Sequence, residues 1–264
     1  MKLTLCSVGL LALMSCGQTD IAEEKAPAPP SKPKPEVVVD EKIRRLVASE
    51  HPTLTNEIGD DFLEGWGADQ EANLVTMKTS HGDVVLELFP DVPVHRANFL
   101  YKVYRGYYSP CEFTRVVPDF VVQGGNSEEE RPQQLRFLIG KHTLMPEIRK
   151  HHVHIRGALA MSRSYSNNPD KRSSSYDFYI VTGRQVGARE MLQVERESGF
   201  EHTDEQRERY ATEGGAPHLD GEHTVFGRVV QGMDVVDVLA ATPRDGSDWP
   251  VVKLEFTMDW EDVR

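Results

Sequence analysis

Positive charge, cysteine and long apolar runs are all scarce in this chain of 264 residues. Lysine and arginine number 30 against 42 aspartates and glutamates, a formal net charge of −12. Such a field repels phosphate backbones, which argues against a nucleic-acid partner, and it offers no electrostatic hold on anionic lipid. The three cysteines, Cys6, Cys16 and Cys111, are too few and too scattered for a disulfide framework. No apolar run approaches the ~20 residues that a membrane-spanning helix needs. No internal repeat is visible. What is present is an apolar share of 39%, enough for one sizeable core at this length.

A short apolar run opens the chain. Lys2 precedes Leu3 to Met14, which has the length and position of a secretory signal core. It ends Leu13-Met14-Ser15-Cys16, which resembles a lipobox. The resemblance implies that residues 1–15 are a lipoprotein signal peptide and that Cys16 carries diacylglycerol on its thioether. Cys6 is then discarded and Cys111 has no partner thiol. Residues 16–39 are rich in Pro, Ala, Lys and Glu with almost nothing apolar to bury, so they read as a disordered tether. Residues 40–71 read as a helical extension. Ile43, Leu46 and Val47 recur at helical spacing, and Thr55 is placed to cap a second helix carrying Ile58, Phe62, Leu63 and Trp66.

From residue 72 to 264 the pattern is mainly β. Leu74–Thr79 and Asp83–Phe89 read as a hairpin, followed by a helix at Val92–Arg105 with Ala97, Leu100, Tyr101 and Tyr104 as its apolar stripe. Strands are expected at Glu112–Val117, Phe120–Gln123, Ala158–Ser162, Asp177–Thr182 and Thr224–Val230, then a helix at Met233–Ala241. A last strand alternates from Val252 to Trp260. Many short strands with two helices point to a closed antiparallel barrel capped at its ends.

Several ordered blocks then resemble one family. Phe113-Thr114-Arg115-Val116-Val117-Pro118-Asp119-Phe120-Val121-Val122-Gln123-Gly124-Gly125 is similar to the cyclophilin signature. Gly157 to Ser162, Phe178 to Val181 and Leu219 to Gly227 follow in the family's order. The likeness spans roughly Val75 to Trp260, and the Leu54–Trp66 flank looks most like envelope cyclophilins of Bacteroidetes-type bacteria. It implies an eight-stranded antiparallel barrel capped by two helices and a peptidyl-prolyl cis/trans isomerase that needs no cofactor. The alternative is a non-catalytic proline-binding chaperone or scaffold with the same pocket. By the same resemblance, Arg115, Phe120, Gln123 and His223 are catalytic. Val121, Ser162, Arg163, Asp177, Tyr179, His218 and Leu219 bind substrate.

The chemistry is consistent with those residue types. An X-Pro bond has nearly balanced isomers separated by a barrier of ~18–20 kcal/mol. A donor aimed at the pyramidal prolyl nitrogen of the transition state lowers that barrier with no covalent step. Arg115 is expected to be that donor, with Gln123 holding it or the substrate carbonyl, and His223 donating to the substrate backbone. Three positions depart from the family. His218 stands where eukaryotic members carry Trp, which puts cyclosporin binding in doubt. Asp177 replaces a Gln and is expected to pair with Arg115 or Arg163, and Arg163 replaces an Asn. These departures imply lower activity than that of eukaryotic members.

Two insertions complete the reading. Residues 126–153 carry His142, His151 and His152 just ahead of His154, and read as a solvated loop. A metal site is not expected, since His151-His152-x-His154 lacks a fourth ligand at fixed spacing. Residues 185–217 read as charged surface helix, with Met191-Leu192 as a short apolar patch and Thr203 to Gln206 as a capping box. The expected partners are Pro-containing segments of unfolded or exported proteins. The expected location is the envelope of a Gram-negative bacterium, with a monomeric, lipid-anchored domain facing the periplasm.

Overall fold

The computed structural model describes residues 51–264. The signal segment, Cys16, the tether and the Ile43/Leu46/Val47 stripe fall outside them. Among the described residues no helix is long and apolar enough to cross a membrane.

Eight strands close into an antiparallel barrel. In chain order they are β1 (Leu74–Thr79), β2 (Gly82–Leu88), β3 (Cys111–Val117), β4 (Val121–Gly124), β6 (Ala158–Met161), β8 (Phe178–Val181), β9 (Val225–Gln231) and β10 (Glu255–Thr257). Around the barrel the order is β1-β10-β3-β4-β8-β6-β9-β2. Two further strands, β5 (Thr143–Leu144) and β7 (Ser173–Ser174), pair only with each other. The fold class expected from the sequence is therefore present.

Strand alternation explains why β6 and β8 are buried along their whole length. Val122, Leu159, Phe178, Ile180 and Phe226 point into the main core. Their alternates Val121, Ala158, Ala160, Tyr179, Val181 and Val225 form a second apolar cluster on the other face. Register then sets a row across the sheet. Arg115 pairs with Gln123, Gln123 with Tyr179, Tyr179 with Ala160, and Ala160 with Val225.

The helices are α1 (Gly59–Ala68), α2 (Pro93–Tyr104), α3 (Glu130–Ile139), α4 (Ala188–Ser198), α5 (Asp204–Thr212) and α6 (Met233–Ala240). Proline at the first turn of α2 fits its fixed φ and missing N–H. The cap is remote: Glu147 accepts from the backbone N–H of Val94 at 3.2 Å and of His95 at 2.8 Å. Lys102 on α2 is fully buried and donates to Asn98 Oδ1 at 2.5 Å, and burial pushes its pKa well down. α1, the described helix of the extension, leans on α2. A Cβ on Gly67 would lie 2.4 Å from that of Ala97, so α1 and α2 touch through their backbones. Trp66 and Phe62 pack edge-on to Tyr101, at 5.2 and 5.4 Å between centroids.

Several expectations are corrected. Thr55 does not cap α1; Ile58 occupies that position and is exposed, as is Tyr104 on α2. The last ladder is only three residues long. Its partners run out, because Thr257 and Phe256 pair with Lys78 and Thr79 at the end of β1, while Phe256 faces Cys111 at the start of β3. Leu254, Phe256 and Met258 are buried as the alternation required, but Val252 is exposed and Trp260 sits in a 3-10 turn. Residues 126–153 are not a solvated loop, since α3 and β5 bury Leu135, Ile139 and Leu144 in the main core. His142 and His154 are buried too.

Candidate functional site

A cavity of about 340 Å³ opens on the outer face of β4, β8 and β6, over the second apolar cluster. Ten residues expected at a proline pocket line it: Arg115, Phe120, Val121, Gln123, Ser162, Arg163, Tyr179, His218, Leu219 and His223. The cross-strand row delivers Arg115, Gln123 and Tyr179 side by side. Phe120 arrives from the β3–β4 turn, and the 3-10 turn Pro217–Leu219 brings Leu219 and His218 from across the chain. His218 stacks on Phe120 with centroids 5.5 Å apart, so it forms a wall of the pocket. Burial lowers its pKa, which keeps the ring neutral and stackable.

The cationic side is held by a residue the sequence reading missed. Arg115 donates through Nε and Nη2 to Asp248 Oδ2, at 3.2 and 3.1 Å. Its guanidinium carbon lies 5.6 Å from the Phe120 centroid. Among the described residues, Nη1 has no protein acceptor, so one edge of the fork stays free at the cavity. Arg244 donates to the other oxygen of Asp248 at 3.0 Å, which shares the carboxylate between two cations.

Asp177 is corrected. It does not line the cavity and pairs with neither arginine. It turns away to Ser174, whose hydroxyl lies 2.6 Å from Oδ2, and burial raises its pKa. Arg163 instead bonds the Glu222 carbonyl oxygen at 2.7 Å and its carboxylate, and stacks 4.2 Å from the Tyr165 centroid.

His223 is also not the donor it was expected to be. Its Nδ1 faces the Met161 carbonyl at 3.2 Å, so Nδ1 carries the proton and Nε2 accepts from the Tyr165 hydroxyl at 2.7 Å. Burial lowers its pKa to about 4, so the ring is neutral near pH 7. Tyr165, 67% exposed, lines the cavity and was missed by sequence reading. It lies in an irregular stretch with no periodicity to mark it.

Behind the pocket lies a buried polar chain. The Tyr179 hydroxyl is 3.1 Å from His154 Nε2, and His154 Nδ1 is 2.7 Å from Asp220 Oδ1. The other oxygen of Asp220 accepts from His202 Nε2 at 2.8 Å and the Tyr210 hydroxyl at 2.5 Å. Burial alone would raise the Asp220 pKa, but the hydrogen bonds from His154 and His202 outweigh it and hold it below the ordinary carboxylate value. A second constellation is formally that of a nucleophilic triad: Ser173 Oγ lies 2.9 Å from His95 Nε2, and Glu147 lies 2.6 Å from His95 Nδ1. Ser173 and His95 are fully buried, so no substrate carbonyl reaches that hydroxyl.

The comparisons agree with this geometry. The model of the family "Cyclophilin type peptidyl-prolyl cis-trans isomerase/CLD" matches residues 74–257. A putative peptidyl-prolyl cis-trans isomerase of Staphylococcus epidermidis is 30% identical over 76% of this chain and 92% of its own length. A putative bifunctional phosphatase/peptidyl-prolyl cis-trans isomerase of Streptococcus pyogenes is 34% identical over 67% of this chain, which spans 36% of that relative's length. Among solved structures, a Cryptosporidium parvum cyclophilin type isomerase, in the presence of the dipeptide Ala-Pro, superposes with a TM-score of 0.50. It is 23% identical over 70% of this chain and 97% of its own, a likeness of fold. These bacterial relatives are staphylococcal and streptococcal, so they do not show the Bacteroidetes-type likeness expected from the Leu54–Trp66 flank. With a family match across the barrel and an arginine, a phenylalanine and a glutamine gathered at one apolar pocket, the chain belongs to the cyclophilin-type peptidyl-prolyl cis-trans isomerases.

Proposed function

We propose that this isomerase speeds X-Pro isomerisation in proteins folding within a bacterial cell envelope, held to the membrane by lipid on Cys16. The pocket supports a proline-sized, apolar ligand: Val121, Tyr179 and Leu219 form the floor, and Phe120 with His218 the wall. The Ala-Pro dipeptide that accompanies the Cryptosporidium structure is the kind of ligand we assign to it.

The observation that carries the mechanism is the tethered Arg115 fork. As the prolyl C–N bond twists, conjugation is lost, the nitrogen becomes pyramidal and its lone pair is exposed. The free edge of Arg115 donates to that lone pair, an interaction absent from the planar ground state, so it lowers the barrier. Asp248 fixes the guanidinium beforehand, which removes a reorganisation cost but also draws off part of its positive field. Gln123, Arg115's cross-strand partner, supplies an amide for the substrate carbonyl. No step forms or breaks a covalent bond. In an exported chain, uncatalysed X-Pro exchange takes tens to hundreds of seconds, slow enough to limit folding.

Isomerisation of a short X-Pro peptide, followed by NMR exchange, tests the mechanism. Arg115→Ala is expected to lose about 10²–10³ in kcat/KM, the scale of one preorganised donor, while peptide binding persists. Equal activity in the two proteins refutes the role of Arg115. Binding with no acceleration in the wild type would instead make the pocket that of a proline-binding chaperone. The anchor is tested by fatty-acid labelling of cells. Wild type should incorporate label and Cys16→Ser should not; equal labelling rejects the anchor.

A further inference from the structure

Of the four histidines from 142 to 154, two are drawn inward. His154 bonds Asp220, and His142 is packed beside Tyr176. His151 and His152 remain at the surface, and the ligand that sequence spacing could not supply comes from far upstream. Asp91 lies in the turn between β2 and α2, with Oδ2 at 2.8 Å from His151 Nε2 and Oδ1 at 2.9 Å from His152 Nε2. All three ligand atoms lie within 4.8 Å of one another. We propose that Asp91, His151 and His152 form a binding site for a divalent transition metal of the zinc class, separate from the proline pocket.

The surroundings hold these groups in place. His152 stacks flat on Phe89, with centroids 4.0 Å apart and planes 13° from parallel, which sets the direction of its Nε2. Arg149 donates from Nε to the Asp91 backbone carbonyl at 3.0 Å, and the N–H of His152 bonds the Arg149 carbonyl at 3.0 Å. The Arg149 side chain therefore pins one loop to the backbone of the other, independently of the side chains that would bind the ion. A preset arrangement of this kind limits the ordering cost of coordination.

The dimensions fit. Zinc bonds of about 2.0–2.2 Å to nitrogen and oxygen put tetrahedral neighbours roughly 3.3 Å apart. The present contacts must open by about half an ångström, and the imidazoles close on each other by a comparable or larger amount, within reach of side-chain rotation. Two imidazoles and one carboxylate form a borderline donor set that suits zinc, nickel or copper over magnesium or calcium. Three protein ligands leave a further coordination position. His151 and His152 also line a cleft of about 730 Å³, so that position has room for water or an added donor. None of the three residues lines the proline cavity. An ion here would tie the loop that follows Glu147, the cap of α2, to the turn that precedes the same helix.

The test is calorimetric titration of ZnCl₂ into full-length protein stripped of metal, beside the double variant His151→Ala/His152→Ala and the single variant His151→Ala. The wild type should bind one equivalent at least tenfold more tightly than either variant. Cobalt(II) should give the wild type alone the visible band of a four-coordinate ion. Zinc binding of equal strength and stoichiometry in all three proteins would place the metal elsewhere and overturn the proposal, as would no binding to the wild type. His151 is exposed, so its loss leaves the fold intact. Isomerase rates without metal should match across the three proteins and confirm folding. Because that assay reads the pocket and the titration reads the loops, failure of either idea is distinguishable from failure of the other.

Discussion

The two insertions look alike in sequence, both charged and both histidine-bearing, yet they join the barrel by different physics. Residues 126–153 become part of the main core. Leu135 and Ile139 of α3 and Leu144 of β5 are buried with the barrel interior, and Tyr107 and Tyr176 close over them with hydrogen bonds to the Gly125 and Gly140 carbonyls. Residues 185–217 form a satellite. Met191 and Tyr210 make a small cluster of their own with Val153 and Val186. That satellite is fastened to the pocket by the Asp220 carboxylate, next in sequence to Leu219 of the pocket floor, beside backbone hydrogen bonds between Gly214 and Arg156 and between Ala216 and His154. An insertion held by apolar area shares the stability of the whole domain. One held by a buried polar hub can loosen alone and carry the pocket with it.

Asp220→Ala should break this contrast hardest. Removing the acceptor leaves His154 Nδ1, His202 Nε2 and the Tyr210 hydroxyl buried without the oxygens they bond, at a cost of about 3–5 kcal/mol. The loss should be local: hydrogen exchange should rise across residues 185–217, and kcat/KM should fall because Leu219 and His218 lose their support. Acid should act on the same hub. The Asp220 pKa is lowered on folding, so its contribution is complete above the unfolded carboxylate value and is lost as pH falls through the lower folded value. The wild-type satellite should therefore loosen only below about pH 4, and that acid step should be missing from Asp220→Ala. Uniform exchange throughout the domain in the variant would contradict the separate anchoring.

Leu135→Ala probes the other insertion and should cost somewhat less, about 2–4 kcal/mol for a buried leucine truncated in a packed core. Here the loss should appear as a lower midpoint of global denaturation. Activity per folded molecule, measured well below that midpoint, should be unchanged. A fall in kcat/KM matching that of Asp220→Ala would mean the two insertions reach the pocket in the same way.

How much of this was legible in advance depended on contact distance along the chain. The barrel followed from local alternation, the ten pocket residues from the resemblance of short contiguous blocks to one family, and the capping box at Thr203 and Gln206 forms as its spacing implied. What escaped were partners fixed by the fold. Asp248 lies 133 positions from Arg115, and nothing in the Arg244 to Trp249 turn marks it as the holder of the pocket arginine. Asp220 stood inside a recognisable block, but its role arises only when His154 and His202 are folded against it. Asp177 erred the other way. Its position just before the Phe178–Val181 block, where the resembled family has Gln, put it at the pocket, whereas the Ser174 turn draws its carboxylate aside. The first insertion was misread because polar residues on the exposed side of α3 mask a stripe of only three core residues, Leu135, Ile139 and Pro132.

The smallest effect is the most discriminating. Tyr179 belongs to both regions: its ring is pocket floor and its hydroxyl reaches His154, the first link to Asp220. Tyr179→Phe keeps the ring and cuts the link, so the expected cost is about 1 kcal/mol, the net worth of one hydrogen bond. It leaves His154 Nε2 without its donor but Asp220 still fully bonded. If the satellite supports the pocket through Asp220 and the backbone beside it, the variant should keep kcat/KM within a few-fold of wild type and leave exchange in residues 185–217 unchanged. If the hydroxyl itself transmits that support, the variant should reproduce a large part of the Asp220→Ala loss in activity with none of its loosening. The position of Leu219, one peptide bond from Asp220, favours the first outcome, because a displaced carboxylate moves that backbone directly whereas a lost hydroxyl does not.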